Sequence, residues 1–190
     1  MLSTIAKLAE GVRASMIGPM SSEGRSSAPK QLEVPADVRI GVVVSGYYAQ
    51  ITSRLREGAV RELARLVPGA EVSEIVDVPG CFELTVAASV LAHSGRFDGV
   101  VSLGCLVKGE TSHDRYIAQA VANGLTQVAV ETRVPIGFGV LTVDSIEQAH
   151  ARSGAAGSAG KGNKGAEAMG AVLQTIVSLR SVGQLQRSHP

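Results

Sequence analysis

The chain has 190 residues, 45% of them hydrophobic and 18% charged, enough apolar material for one domain with a substantial core. A net charge of +1 gives no broad attraction for nucleic acid or an anionic membrane. No apolar run approaches the ~20 residues of a membrane span. Aromatic content is 3% with no Trp, so the core must come from Val, Leu, Ile and Ala, as suits a parallel sheet covered by helices.

Residues 1–36 read as a flexible extension. Leu2, Ile5, Leu8, Val12 and Met16 fall at helical spacing, and Gly18 to Lys30 is rich in Ser, Gly and Pro, as in a linker. Glu10 and Glu23 weigh against a transit peptide. The expected compartment is therefore the cytoplasm, or an organelle if the extension does act as a targeting segment. Residues 37–183 form the expected domain, and Gln184 to Pro190 a polar tail.

Within the domain, Val38–Ser45 is a near-continuous apolar run, as expected of a strand buried on both faces. Ile51, Leu55, Ala59, Leu63 and Leu66 set a helix over about 50–67, closed by Pro68-Gly69. Glu71–Val78 reads as a strand, Glu83–His93 as a short helix and Phe97–Leu106 as a third strand. Arg115–Thr132 reads as a helix and Ile136–Val143 as a fourth strand. Asp144 or Ser145 caps the next helix, and Ala166–Val182 is the last. Alternating strands and helices predict an α/β three-layer sandwich with a four-stranded parallel sheet. Ligands of such sheets bind beyond the carboxyl ends of the strands. The segments to search are thus Gly46–Ala49, Pro79–Glu83, Val107–Asp114 and the region of Phe138–Asp144.

These segments carry unusual residues. Tyr47 and Tyr48 are adjacent rings able to stack on a planar heterocycle. In Pro79–Glu83, Phe82 can pack on a ligand ring or fill the core, and Glu83 can bind hydroxyls or cap the next helix. Lys108–His113 combines a close turn at Gly109, the hydroxyls of Thr111 and Ser112, and a helix N-terminus suited to anions. His113 can pass a proton in either direction, or be an exposed residue of an ordinary cap. Arg152–Lys164 is glycine-rich, but Gly160-Lys161 is followed by Gly162 rather than Ser or Thr, and no strand precedes it, so it is not a nucleotide-triphosphate loop. Arg152 can grip a phosphate or act as a helix C-terminal cation. Cys81 and Cys105 form no C-x-x-C pair and do not cluster with histidines, so neither zinc nor a disulfide is expected.

The stretches VPGCFEL, LGCLVKGETSH, VPIGFGVLT, IEQAHARSG and GNKGAEA, in this order, resemble lumazine synthase over about residues 38–176. The resemblance implies flavodoxin-like topology and a condensation of 5-amino-6-(D-ribitylamino)uracil with 3,4-dihydroxy-2-butanone 4-phosphate, with no metal and no redox cofactor. It implies that Tyr47 stacks on the pyrimidine and that Cys81, Phe82 and Glu83 line the ring and ribityl pocket. Glu110 and Thr111 match the loop at the sugar phosphate, with Arg152 as guanidinium partner, and His113 matches the general acid/base. Phe138 matches an aromatic that covers the ring from a neighbouring subunit, and Lys164 and Glu167 a charged pair near the site. Other readings consistent with the motifs are a non-catalytic lumazine- or flavin-binding relative and a shell-forming protein.

Three departures stand out. The family's usual Arg-Phe-Asn after the first strand is Gly46-Tyr47-Tyr48, so the asparagine's polar contact is lost. Asp114-Arg115 follow His113 where an aromatic and an acid are usual. Lys164 lies twelve positions beyond Arg152, a longer interval than in many relatives. Such an interval implies a homo-oligomer that is a simple pentamer, with an icosahedral capsid as the alternative, acting on small-molecule substrates.

Overall fold

A computed structural model describes residues 33–154 and 162–183. The expectations for residues 1–32, for the glycine-rich stretch 155–161 and for the tail 184–190 lie outside the described residues. Nine elements follow in order: β1 (Ile40–Ser45), α1 (Ala49–Leu66), β2 (Glu74–Val78), α2 (Leu84–His93), β3 (Gly99–Val107), α3 (His113–Thr132), β4 (Ile136–Val143), α4 (Ile146–Arg152) and α5 (Lys164–Ser181). The four strands form one all-parallel sheet in the order β2-β1-β3-β4. This is the flavodoxin-like arrangement, with its topological switch between β1 and β3.

The core follows from strand alternation. Ile40, Val42 and Val44 of β1 point into one layer, where α1 and α5 cover them with Ile51, Leu55, Leu63, Met169 and Leu173. Val43 points into the other, with α2 and α3 supplying Leu84, Leu91, Val121 and Leu125. Every residue of β1 is buried, so the sequence run without polar alternation reflects a strand with no solvent face. Each such Val, Leu or Ile contributes roughly 1.5–3 kcal/mol relative to exposure.

β4 has its expected bounds and α1 lies within one residue of them, and where a boundary differs by two or three residues the reason is local. β2 begins at Glu74 because its partner Gly41 is the second residue of β1, and Ser73 already donates its N–H to the Ile40 carbonyl at 2.9 Å. Ser145, rather than Asp144, caps α4: its hydroxyl accepts from the Gln148 N–H at 3.4 Å. α5 starts two residues early because Asn163 caps it, its carbonyl oxygen accepting from the Ala166 N–H at 3.0 Å.

The α1–α5 contact uses glycine to bring backbones together. A Cβ on Gly165 would collide with the backbone carbonyl of Leu55. Gly165→Ala should therefore force the helices apart and cost about 3 kcal/mol, read as a lower urea midpoint at unchanged m-value. An unchanged midpoint would contradict this packing.

Candidate active site

β1, β2 and β3 end at a common rim, and the residues following them enclose a cleft of about 800 Å³. It lies at the switch point, where two consecutive crossovers leave in opposite directions and the loops part. Tyr47 and Tyr48 enter it from β1, Cys81, Phe82 and Glu83 from β2, and Cys105 from β3. The first turns of α3 complete it with His113, Tyr116 and Ile117. Four of the six aromatic residues in the chain line this one space, and Tyr47, Phe82 and Tyr116 are each more than 60% exposed. Phe82 is therefore not a core residue. Exposed rings gathered in a concavity are available to a planar ligand.

Tyr48 is held in an unusual way. Its backbone is left-handed, with φ 55° and ψ 48°, and it caps α1 without a side-chain hydrogen bond. A non-glycine residue there carries about 1–2 kcal/mol of strain. Its ring meets Tyr47 edge-to-face, with centroids 4.9 Å apart and planes at 89°, a geometry that returns about 0.5–1.5 kcal/mol. Burial, then Tyr47 and Cys105, push its phenol above the usual tyrosine value, so it stays a hydrogen-bond donor.

The cleft floor is formed by buried cysteines. The Cys81 thiol donates to the Cys105 carbonyl at 3.5 Å, and both cysteines are free and buried. Burial pushes the Cys81 thiol up, and burial and then Cys81 push Cys105 up to about 12. Neither is a nucleophile at neutral pH. His113 is the first residue of α3 and exposed to the cleft, where helix N–H groups favour an anion. Beside it, Asp114 sits in the first turn, with its Oδ1 buried and lacking a hydrogen-bond partner among the described residues. Ser112 precedes the helix but its hydroxyl makes no cap. Among the described residues no three His, Cys, Asp or Glu side chains gather as a metal-ligand set.

The single chain thus brings together Tyr47, Cys81, Phe82, Glu83 and His113 of the sequence-predicted site. Glu110 and Thr111 stand exposed on the loop leading into α3. Arg152 ends α4, which packs in the opposite helix layer through Ala149, and its Nη1 donates to the Gln148 carbonyl at 3.3 Å. Lys164 and Glu167 open α5 in that same layer and pair at 2.5 Å. Phe138, expected near a carboxyl end, is only the third residue of β4. It lies 47% exposed in a separate apolar groove of about 470 Å³, between α3 and α5 at the sheet edge. Sequence reasoning left Tyr116 out of the site. It lies one helical turn beyond His113, on the same face, and its signal was hidden because the helix was expected to start only at Arg115.

The fold and the cleft define an α/β protein with a ring-lined concavity at its switch point and a histidine at its edge. Comparison with known proteins gives the particular family. A model of 6,7-dimethyl-8-ribityllumazine synthase matches residues 37–180. The chain is 42% identical over 161 residues to the 6,7-dimethyl-8-ribityllumazine synthase of Streptomyces coelicolor, covering 85% of this chain and 97% of that one. It is 43% identical over 148 residues to the protein of the same name from Streptomyces avermitilis, covering 78% and 89%. It is 47% identical over 150 residues to that of Kineococcus radiotolerans, again covering 78% and 89%. The chain belongs to the 6,7-dimethyl-8-ribityllumazine synthase family.

The buried thiols give a pH signature. A thiol with a raised value in the folded state keeps its proton where the unfolded chain has lost it. Stability must therefore fall as pH climbs from about 9, the ordinary thiol value, towards about 12. The slope for one proton is up to about 1.4 kcal/mol per pH unit. Urea midpoints taken between pH 8 and 10.5 should drop less steeply for Cys105→Ala than for the wild type; parallel slopes would contradict the assignment.

Proposed function

We propose that the chain condenses 5-amino-6-(D-ribitylamino)uracil with 3,4-dihydroxy-2-butanone 4-phosphate to 6,7-dimethyl-8-ribityllumazine, releasing phosphate and water, as the penultimate step of riboflavin biosynthesis. The observation that carries this reading is the cleft itself. It places Tyr47, Phe82, Glu83 and His113 around a space of about 800 Å³ in a chain of this family.

The chemistry asks for alignment more than for a strong nucleophile, because the substrate amine already is one. Tyr47 stacks on the pyrimidine, Phe82 closes over it, and Glu83 accepts hydrogen bonds from ribityl hydroxyls. The 5-amino group attacks the butanone carbonyl and one water leaves to form an imine; phosphate is then eliminated, the resulting enol becomes a ketone, and the ribitylamine nitrogen attacks that ketone to close the ring with loss of a second water. His113 passes the protons of these steps between nitrogen and oxygen. Holding two reactants together can lower a barrier by up to about 7–11 kcal/mol, against roughly 10²–10⁴-fold from a positioned acid/base.

Arg152, Lys164, Glu167 and Phe138 serve the site of a second copy, where Arg152 and the Thr111 loop hold the sugar phosphate. Their position in one chain supports this, since none of them lines its own cleft while Phe138 and Val130 leave the β4 groove apolar and exposed. The assembly we favour is a pentamer, given the long interval from Arg152 to Lys164, and the compartment the cytoplasm.

Purified protein incubated with both substrates should develop lumazine fluorescence; a tight lumazine or flavin complex without turnover would overturn the enzymatic reading. Arg152→Ala should raise KM for the sugar phosphate at least tenfold and leave the pyrimidine nearly unchanged, since it removes a charge-assisted phosphate contact. Equal loss for both substrates would refute that role. His113→Ala should slow turnover by tens of fold without abolishing it, as templating survives.

A further inference from the structure

The end of α4 and the start of α5 are joined by one side chain. Asn163 donates from Nδ2 to the Ser153 carbonyl at 2.7 Å and to the Arg54 carbonyl of α1 at 2.8 Å. Its Oδ1 accepts from the Ala166 N–H at 3.0 Å. One amide thus ties three helices, with both donors and the acceptor satisfied. Ser153 and Asn163 also form an isolated antiparallel bridge, so Arg152 and Lys164, their outward chain neighbours, are brought to the same place.

The surroundings are shaped around this amide. A Cβ on Gly58 would overlap the Asn163 carboxamide, and one on Gly154, which has a φ of 77°, would lie 3.2 Å from its Nδ2. The remaining polar groups are consistent with a fixed platform. Arg54 Nη1 lies 2.9 Å from His150 Nδ1, and Lys164 pairs with Glu167. Stability alone does not require so much accommodation for an amide between two cations. An apolar contact would join α1 and α5, and a serine would cap α5.

We propose that Asn163 is a positioning residue for phosphate recognition: its clasp sets Arg152 and Lys164 in register so that they meet the anion together. This rests on the assignment of Arg152 to the sugar phosphate. Asn163 itself need touch no substrate.

The test uses two variants of the full chain that break the clasp in different ways. Asn163→Ser keeps an acceptor for the Ala166 N–H and removes both amide N–H donors, its shorter hydroxyl being unable to bridge the Arg54 and Ser153 carbonyls together. Gly58→Ala keeps Asn163 and displaces its amide, while alanine favours the surrounding helix. Each should raise KM for 3,4-dihydroxy-2-butanone 4-phosphate about tenfold, with the dissociation constant of 6,7-dimethyl-8-ribityllumazine within about twofold of wild type. In an Arg152→Ala background, Asn163→Ser should add well under its full tenfold, since only the share carried through Lys164 is left. Equal weakening of both ligands, or a full tenfold added in the Arg152→Ala background, would mean that Asn163 is merely structural. If Arg152→Ala raises KM but neither clasp variant does, the inference falls and the function stands. If Arg152→Ala leaves KM unchanged, the phosphate assignment and this inference fall together, whatever the turnover.

Discussion

The constraint on which the molecule depends is a sheet whose central strands have no solvent face. β1 is buried along its whole length, and all but the last two residues of β3 are buried. Helices must cover both layers, so side chains with polar work to do can stand only at the strand ends. The order β2-β1-β3-β4 then selects one place on that rim, between β1 and β3, where successive crossovers diverge. The cleft, its aromatic walls and the histidine at the start of α3 all follow from that choice.

Inside the cleft the residues are not those that would best serve the protein's own stability. Tyr48 occupies a left-handed backbone position that suits glycine or asparagine better, and three further rings remain exposed. The edge-to-face contact with Tyr47 recovers some of the backbone strain, and the two magnitudes are comparable. Local strain of this kind is tolerated where the surrounding structure over-determines it. Here β1 and α1 are anchored by fully buried Val43, Ile51 and Leu55. The raised thiols beneath mark a buried floor of low polarity, where any hydrogen bond is strengthened.

Much of this was legible in the amino-acid sequence, and the physical reasons are specific. Unbroken apolar runs marked the buried strands, and Pro79-Gly80 and Gly46 marked where they end, so the rim segments could be read before the fold. Alternation of strand and helix implied a parallel sheet. What could not be read was placement across the third dimension. Phe138 looks like a rim residue by its neighbours, yet the register of β4 against β3 pairs it with Ser102, low on the strand. Arg152 and Lys164 lie in the opposite helix layer from His113, which no spacing rule reveals. Tyr116 escaped because two residues of error in a helix start hide a helical face. The clasp made by Asn163 was invisible for a different reason: its partners are backbone carbonyls of Ser153 and Arg54, and carbonyls leave no trace in residue identity.

One chain carries separate surfaces: a cleft lined by aromatic rings and His113, the cationic ends of α4 and α5 in the opposite helix layer, and an apolar groove at the β4 edge. Under the proposed function they complete one another between copies, in a head-to-tail ring where each site takes one face from each of two adjacent subunits. Subunit mixing tests this most directly. His113→Ala and Arg152→Ala chains, unfolded together in equal amounts and refolded, should form assemblies in which about a quarter of sites carry both intact faces. At limiting sugar phosphate, lumazine production should then rise well above that of either variant alone. Activity equal to the mean of the two separate variants, in assemblies proven to be mixed, would contradict a site shared between subunits.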